Sequence, residues 1–516
     1  MSKIPFLNRI TNSLNMARGK SSALFNVMQL STANFATKFI SIPVLAFYAR
    51  YLSKDELSFI PVYLMIGSMS TLFFNFGILP TFVKLVPSKL KKNYEEAKSL
   101  IFTGFIINVF GILLFCFCTY IFSRSISILV FHTPSYSNLL RIMSIGFFFQ
   151  GAFVVSNYLL WSTSRFNKIS TLTITQVCIQ AILTVSLYLI QGLKGLVVGL
   201  VLADLVSAII AVYFLKDFLF QGLPKFYPLR GLISFPFYLE SYLMYARSQG
   251  DQWIVATFLG PSSMAIYYIA KKIYDMLCTI HSSFDRIMTS SLSKVGDDKN
   301  ILADKVSHLF PLMSCVIFPG IFLLIGLSPF LIDFIAGHAY KEAVVPAIIL
   351  TLVILVTFFW GPIGRAIFIL NPSVDRVKVT LVESILLISF LFLFTQWLNI
   401  IGVALARLLS SVMTGIYAYY VLKQSLQIKI PKREIIFTFI SSMCMAIFLI
   451  SGQLIYFNYL MIFIYLAFGI IIFLVLISNY ISEQYYSTLN LILPFEIKDP
   501  VKLLLSKINN KTSLTI

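Results

Sequence analysis

The amino-acid sequence predicts an all-α, polytopic membrane protein of about 14 transmembrane helices. Of its 516 residues, 58% are hydrophobic and 12% are charged, whereas a soluble domain carries roughly 25% charged residues. Apolar runs recur along the chain at about 20 residues each, the length that a helix needs to cross a bilayer core. Backbone in lipid must satisfy its own hydrogen bonds, so these runs are expected to be helices. Barrel strands would be shorter and would alternate in polarity.

The predicted spans form two groups of six and a final pair. We place them at 21–48, 57–82, 98–122, 138–162, 169–190, 195–215, 231–258, 262–285, 308–331, 344–370, 378–398, 400–422, 435–452 and 457–479. The predicted organisation is a six-helix bundle over 21–215, a second six-helix bundle over 231–422, and two extra transmembrane helices over 435–479. Residues 1–20 are predicted to form an amphipathic segment on the cytoplasmic surface, and 480–516 a cytoplasmic tail.

An internal repeat supports this division into two bundles. The segment ARYLSKDELSFIPVY at 49–63 is similar to ATFLGPSSMAIYYIA at 256–270, with the apolar positions in phase at an offset of 207 residues. Spans one to six and seven to twelve are therefore interpreted as two pseudo-symmetric copies in the same orientation. Transporters use such repeats, and their substrates bind between the halves.

The distribution of positive charge predicts the orientation of the chain. With the N-terminus inside, the segments that face the cytoplasm hold 28 lysines and arginines, and the outside loops hold five. Cytoplasmic loops of membrane proteins carry an excess of this kind. Both termini are therefore predicted to be cytoplasmic, and the net charge of +19 is explained without a nucleic-acid partner.

Charged residues within the spans are the candidate functional residues, because a charge at the bilayer centre costs about 2.5–3.5 kcal/mol on insertion scales. The candidates for a cationic substrate cavity are Lys38, Arg247, Lys271, Lys272 and Arg407. The acids that would line this cavity or carry a coupling ion are Asp204, Glu240, Asp251 and Asp275. Three charges near span ends, where side chains can reach water, are interpreted as structural: Arg141, Arg365 and Glu383.

Helical periodicity leaves two interpretations of these charges open. Arg247 and Asp251 share one face of the seventh span, as Lys271 and Asp275 do in the eighth. Together with Lys38, they would line a cationic cleft between the halves. Alternatively, the acid and the base on each helix pair only with each other. A cationic cleft would bind an anionic headgroup such as a pyrophosphate through charge-assisted hydrogen bonds.

Several other chemistries find no support in the sequence. It contains no G-x-x-x-x-G-K-[ST] loop, so ATP hydrolysis is not expected, and it contains no nucleophile elbow or zinc-protease motif. The six cysteines fall inside apolar runs, and the four histidines are scattered. No catalytic residue, metal site or cofactor is therefore predicted, and the chain is interpreted as a transporter.

One stretch of the chain resembles a known family. The residues SFPFYLESYLMYARSQGDQWIVATFLGPSSMAIYYIAKKIYDML at 234–277 are similar to the seventh and eighth spans of bacterial polysaccharide exporters. These exporters belong to the multidrug/oligosaccharidyl-lipid/polysaccharide superfamily. Asp251, the apolar run after it, FLGP at 258–261 and a tyrosine-containing helix carry the resemblance. The segment FYARYLSKDELSFIPVY at 47–63 is the counterpart in the first repeat.

The resemblance implies a flippase for O-antigen or capsule repeat units in the bacterial inner membrane. Its cargo would be an undecaprenyl-pyrophosphate-linked oligosaccharide, moved from the cytoplasmic to the periplasmic leaflet by alternating access. The cavities of the family are cationic and bind by charge, which agrees with the residues above. Contacts with the polysaccharide polymerase machinery are a further expectation.

Three alternatives stay open. A lipid II flippase of the same superfamily also has fourteen spans. A multidrug cation antiporter of the same fold would have an anionic, aromatic cavity, and the deep basic residues argue against it. A membrane-embedded glycan polymerase or ligase would act on the same lipids, but the short outside loops leave little room for its active site.

Overall fold

The structure is a computed structural model that describes residues 22–73, 75–219, 233–292, 299–370, 374–423, 431–456 and 459–478. Over these residues the chain forms fifteen α-helices and no β-strand. The predicted segments at 1–20 and 480–516 lie outside the described residues, so their predicted surface location stays a prediction.

The first half of the chain contains eight helices. They are α1 (Ser22–Tyr51), α2 (Lys54–Met69), α3 (Ile78–Lys92), α4 (Tyr94–Ile121), α5 (Ser123–Phe131), α6 (Ser137–Ser162), α7 (Phe166–Phe214) and α8 (Lys216–Leu219). The turn between α1 and α2 is fixed by a capping box, in which the side chain of Ser53 and the side chain of Glu56 each bond the other's backbone N–H.

The second half contains five helices, and two more follow it. They are α9 (Phe235–Ile254), α10 (Gly260–Leu292), α11 (Lys299–Ala336), α12 (Val344–Leu370), α13 (Val374–Lys423), α14 (Lys432–Ile455) and α15 (Tyr459–Ser478). A π-helix at Val255–Leu259 joins α9 to α10. Helix α14 packs outside the second half against α11, where the Gln453 side chain donates to the Gly326 carbonyl at 2.7 Å.

The helix lengths account for the predicted number of spans. Eight helical stretches among the described residues are long and apolar enough to cross a membrane, judged by length and composition. Three of them contain 45 to 49 residues, enough for two crossings of a core of about 30 Å at about 1.5 Å per residue. Counting these three twice, and adding α1, the α2–α3 pair and α15, gives fourteen. The predicted all-α, polytopic fold is confirmed.

The chain reverses direction inside α7 and α13, at two positions 207 residues apart. Gly192 has φ 57° and ψ −140°, and Asn399 has φ 50° and ψ −131°. Just after each reversal a glycine packs on the incoming helix, since a Cβ on Gly195 would lie 1.9 Å from a carbonyl oxygen and one on Gly402 2.0 Å from another. Each long helix is therefore a hairpin of two spans. The separation equals the offset of the sequence repeat.

The second predicted span differs from the structure. We expected one helix over 57–82, but α2 ends at Met69 and α3 begins at Ile78. Between them Gly77 adopts φ 77°, and a Cβ there would lie 2.2 Å from the Ser234 carbonyl oxygen. The break is therefore caused by close packing of the start of α9, which local apolarity does not reveal.

Candidate functional site

A cavity between the two halves contains two of the five predicted cations. It encloses about 1110 Å³ of empty space, including its open mouth. Helices α1, α2 and α7 of the first half line it on one side, and α10 and α11 line it on the other. We call it the interhalf cavity. Its polar lining residues are Thr37, Lys38, Ser41, Tyr48, Gln180, Tyr268 and Lys272.

Lys38 and Lys272 are the charged groups of this cavity, one from each half. The Lys272 ammonium lies 4.9 Å from the centre of the Tyr268 ring. Lys38 interacts electrostatically with both Lys272 and Asp275. Within the described part of the chain, neither ammonium has a carboxylate oxygen within 4.0 Å. The cavity therefore presents two like charges that an anion can neutralise together.

Two of the other three cations, Lys271 and Arg407, bond Asp251, whose side chain is 0% exposed. The Tyr267 hydroxyl donates to its Oδ2 at 2.6 Å, and the Arg407 guanidinium donates to the same oxygen. The Lys271 ammonium lies 3.1 Å from Oδ1, and the backbone N–H of Gln252 donates to Oδ1 at 2.8 Å. Four donors therefore occupy the acceptor sites of one carboxylate.

A second ion pair lies beside this cluster. Arg247 Nη1 donates to Glu383 Oε2 at 2.9 Å, with side chains 45% and 17% exposed. The Arg407 guanidinium donates to the Arg247 carbonyl at 3.0 Å, and Lys271 donates to the Ser248 carbonyl at 2.9 Å. These bonds join α9, α10 and α13. We call the group the Asp251 network: Arg247, Asp251, Tyr267, Lys271, Glu383 and Arg407.

The pairings within the Asp251 network differ from those considered in the sequence. Lys271 pairs with Asp251 of α9 and not with Asp275 of its own helix, and Arg247 pairs with Glu383 of α13 and not with Asp251. Glu383 was interpreted as a structural residue near a span end, yet it is a partner of a deep cation. The partners come from neighbouring helices because α9 packs along α13 over this length.

The remaining predicted acids are dispersed. Asp204 is 7% exposed in α7 and accepts a hydrogen bond from the Tyr63 hydroxyl at 2.7 Å. Among the described residues, no cation lies within 4.0 Å of its carboxylate. Asp275 is half-buried on α10, within electrostatic reach of Lys38, Lys271 and Lys272, and Glu240 is half-buried on α9. The structure therefore separates the proposed carriers of a coupling ion.

Sequence reasoning missed part of the cavity lining. Ser41 and Tyr48 face the cavity beside Lys38, and Gln180 contributes from α7. The Tyr48 hydroxyl is hydrogen-bonded to the hydroxyl of Thr184. Lys38, Ser41 and Tyr48 are spaced i, i+3 and i+10, so the polar stripe was visible as a helical pattern. The contribution of Gln180 from α7 could not be seen in the sequence, because it depends on how the helices pack.

Comparison with known proteins agrees with the resemblance found in the sequence. A family model described as "Polysaccharide biosynthesis protein" matches residues 47–345. A protein of Klebsiella pneumoniae, described as an "Uncharacterized membrane protein in cps region", is 24% identical over 192 residues. That match covers 37% of this chain and 40% of the relative, so the chain spans less than half the length of this relative.

Solved structures share the fold at low sequence identity. The structure of the lipid II flippase MurJ in an inward closed conformation has a TM-score of 0.69 and 18% identity, covering 88% of this chain and 98% of that one. An inward-facing multidrug resistance MATE family transporter of the MOP superfamily has a TM-score of 0.58 and 14% identity, covering 77% and 95%. These likenesses establish the fold and leave the cargo open.

Proposed function

We propose, from the premise that this chain belongs to the polysaccharide biosynthesis protein family, that it is a flippase for an undecaprenyl-pyrophosphate-linked oligosaccharide. The cargo would be an O-antigen or capsule repeat unit, moved from the cytoplasmic to the periplasmic leaflet of the bacterial inner membrane by alternating access. The observation that carries the proposal is the interhalf cavity, where the ammonium groups of Lys38 and Lys272 both face the same space and neither has a carboxylate oxygen of the described residues within 4.0 Å.

The chemistry of the interhalf cavity suits the two ends of such a cargo. Two ammonium groups can share the oxygens of one pyrophosphate, and charge-assisted bonds of this kind are about twice as strong as neutral ones. Hydroxyl and amide groups from Ser41, Tyr48 and Gln180 are available to sugar hydroxyls. Apolar side chains such as Ile42 and Ile335 complete the lining and suit the first isoprene units.

The driving force follows from the charge of the headgroup. Each negative charge that moves outward gains about 2.3 kcal/mol per 100 mV when the inside is negative. This term requires the orientation inferred from the basic loops, with both termini cytoplasmic. A coupled ion would need a carboxylate with free acceptor sites, and the four donors on Asp251 make it the least suited of the candidate acids.

The multidrug antiporter is the rival function with the same fold. It would carry cations, and a cation is repelled by the paired ammonium groups of Lys38 and Lys272. A glycan polymerase or ligase would need an outward-facing active site, for which the short outside loops predicted from the sequence leave little room. The paired lysines therefore favour export of an anionic lipid.

Complementation tests the proposal. A strain that lacks the gene should regain surface polysaccharide with the wild-type chain but not with the Lys38→Ala/Lys272→Ala double variant. We expect a loss of at least about tenfold, since hydrogen bonds to charged groups contribute about 1.5–3 kcal/mol each. The matched control is Lys194→Ala/Lys341→Ala, which removes two exposed lysines outside the cavity. Both variants must be present in the membrane at equal levels. If the cavity double variant then restores surface polysaccharide fully, Lys38 and Lys272 do not bind the cargo and the proposal is refuted.

A further inference from the structure

The Asp251 network carries more positive than negative charge. Three cations, Arg247, Lys271 and Arg407, face two carboxylates, Asp251 and Glu383. Both carboxylates are bonded directly by these cations, and the six residues together carry one more positive charge than negative. Asp275 supplies a further negative charge within electrostatic reach of Lys271, but it forms no direct ion pair with the three cations.

The network is arranged in two layers of different accessibility. The outer pair, Arg247 and Glu383, is partly exposed at 45% and 17%. This pair is more exposed than the bonds to Asp251, so it costs less to open. The Lys271 and Arg407 side chains are each 12% exposed, and both bond the fully buried Asp251. The inner cations thus lie beside a pair that opens more easily than their own.

The network and the interhalf cavity share one helix. Lys271 and Lys272 are consecutive residues of α10, and their side chains point into the two different sites. Asp275, one turn further on, interacts electrostatically with both lysines and with Lys38. An anion held by Lys272 is therefore close to a second set of cations on the adjacent face of the same helix.

We propose that Lys271 and Arg407 form a second anion-binding station, and that Asp251 is the internal anion that occupies it in the empty protein. The inference rests on the proposed function, since its ligand is the pyrophosphate of the same lipid. Exchange of Asp251 for a phosphate group keeps Lys271 and Arg407 paired with an anion, and the displaced Asp251 carboxylate retains the bonds that the Tyr267 hydroxyl and the Gln252 backbone N–H donate to it. A pyrophosphate offers more charge and more acceptor oxygens than a carboxylate, so Asp251 excludes weaker anions and acts as a specificity-determining residue.

Binding of inorganic pyrophosphate to the purified full-length protein tests this proposal. Replacing Asp251→Asn removes the competing charge and keeps the size of the side chain. We expect its Kd for pyrophosphate to fall about tenfold below that of the wild type. Adding Lys271→Ala to Asp251→Asn should return the Kd to at least the wild-type value. The control is Glu95→Gln, which removes one exposed carboxylate at the start of α4 and should leave the Kd unchanged.

A second variant covers the case in which Asp251→Asn does not fold. If that protein is recovered folded only with pyrophosphate present, the anion has replaced the missing carboxylate, which supports the station. If it is not recovered at all, Glu383→Gln decides, because it opens the outer layer while Asp251 stays in place. We expect the Glu383→Gln protein to bind pyrophosphate about threefold more tightly. Unchanged or weaker binding overturns the proposal.

The outcomes separate this inference from the proposed function. If the wild type binds pyrophosphate through Lys38 and Lys272 while Asp251→Asn and Glu383→Gln bind no more tightly, the second station is refuted and the flippase proposal stands. If neither the wild type nor any variant binds pyrophosphate, both fail. Farnesyl pyrophosphate in a parallel titration distinguishes the ligand sources, since a preference for free pyrophosphate over the prenyl form would refute a lipid headgroup as the ligand.

Discussion

Each half of the protein buries an aspartate against a tyrosine of the same half, but only the aspartate of the second half is also bonded by a lysine and an arginine. Asp204 accepts from Tyr63 at 2.7 Å, and Asp251 accepts from Tyr267 at 2.6 Å. Two helices that pack against Asp251 contribute Lys271 and Arg407, whereas no cation among the described residues lies within 4.0 Å of Asp204. Two similar carboxylates therefore have different electrostatic surroundings in the two copies of the repeat.

The two aspartates differ in what they join. In the second half the buried carboxylate is part of a charged network that joins α9, α10 and α13. In the first half Asp204 of α7 accepts from Tyr63 of α2, and the deep cation Lys38 points instead into the interhalf cavity. Each half thus contributes one lysine to the cavity, and the second half adds a network of ion-paired cations beside it.

The largest expected effect comes from removing each aspartate. Asp251→Ala leaves Lys271 and Arg407 buried without their counterion, which should lower the free energy of unfolding by about 3–5 kcal/mol. Asp204→Asn leaves no cation without a partner, and its amide oxygen can still accept from Tyr63, so we expect a loss below about 1 kcal/mol. Unfolding of the purified proteins in increasing mole fractions of SDS measures both values.

The exposed Glu95→Gln variant is the reference for loss of one negative charge. It should unfold within about 0.5 kcal/mol of the wild type. Equal losses for the two aspartate variants would contradict the comparison, because they would mean that the cations around Asp251 contribute nothing to the difference between the halves.

The two tyrosines provide a smaller and more selective test. Tyr267 donates to a carboxylate that two cations also bond, and hydrogen bonds to charged groups contribute about 1.5–3 kcal/mol. Tyr63 donates to a carboxylate with no such partner, so Tyr63→Phe should cost about 1 kcal/mol. The same SDS titration compares Tyr267→Phe with Tyr63→Phe. A larger loss of unfolding free energy for Tyr63→Phe than for Tyr267→Phe would contradict the conclusion that the charged environment surrounds Asp251 and not Asp204.

Much of the fold follows from the sequence because the bilayer imposes a length on each helix. Apolar runs and basic loops were enough to predict about fourteen spans, and the repeat found at 49–63 and 256–270 recurs as matching reversals in α7 and α13. The break at Gly77 was not predictable, because the surrounding residues are apolar and the cause is contact with Ser234 from a distant helix.

The candidate site was predictable in its members but not in its contacts. Depth within a span identified the five cations, because a charged side chain near the bilayer centre has a high free-energy cost whatever its orientation. Their partners depend on tertiary packing, because Arg247 and Glu383 are 136 residues apart in the sequence and Arg407 and Asp251 are 156 apart. Pairing at i, i+4 was therefore a poor guide, and Glu383 was undervalued because only its position near a span end was considered.

The smallest expected effect concerns the two reversals that the repeat shares. Both adopt positive φ with strongly negative ψ, a region that glycine enters easily and other residues enter with strain. The first half uses Gly192 there and the second half uses Asn399. We expect Asn399→Gly to raise the free energy of unfolding by about 1 kcal/mol, and Gly192→Asn to lower it by a similar amount. Since no atom of the described residues lies within 4 Å of a Cβ built on Gly192, a loss in the second variant would report backbone strain and not a clash. If the free energy of unfolding rises in Asn399→Gly and falls in Gly192→Asn, both halves turn with the same backbone geometry. If it falls in both variants, the Asn399 side chain itself stabilises its turn.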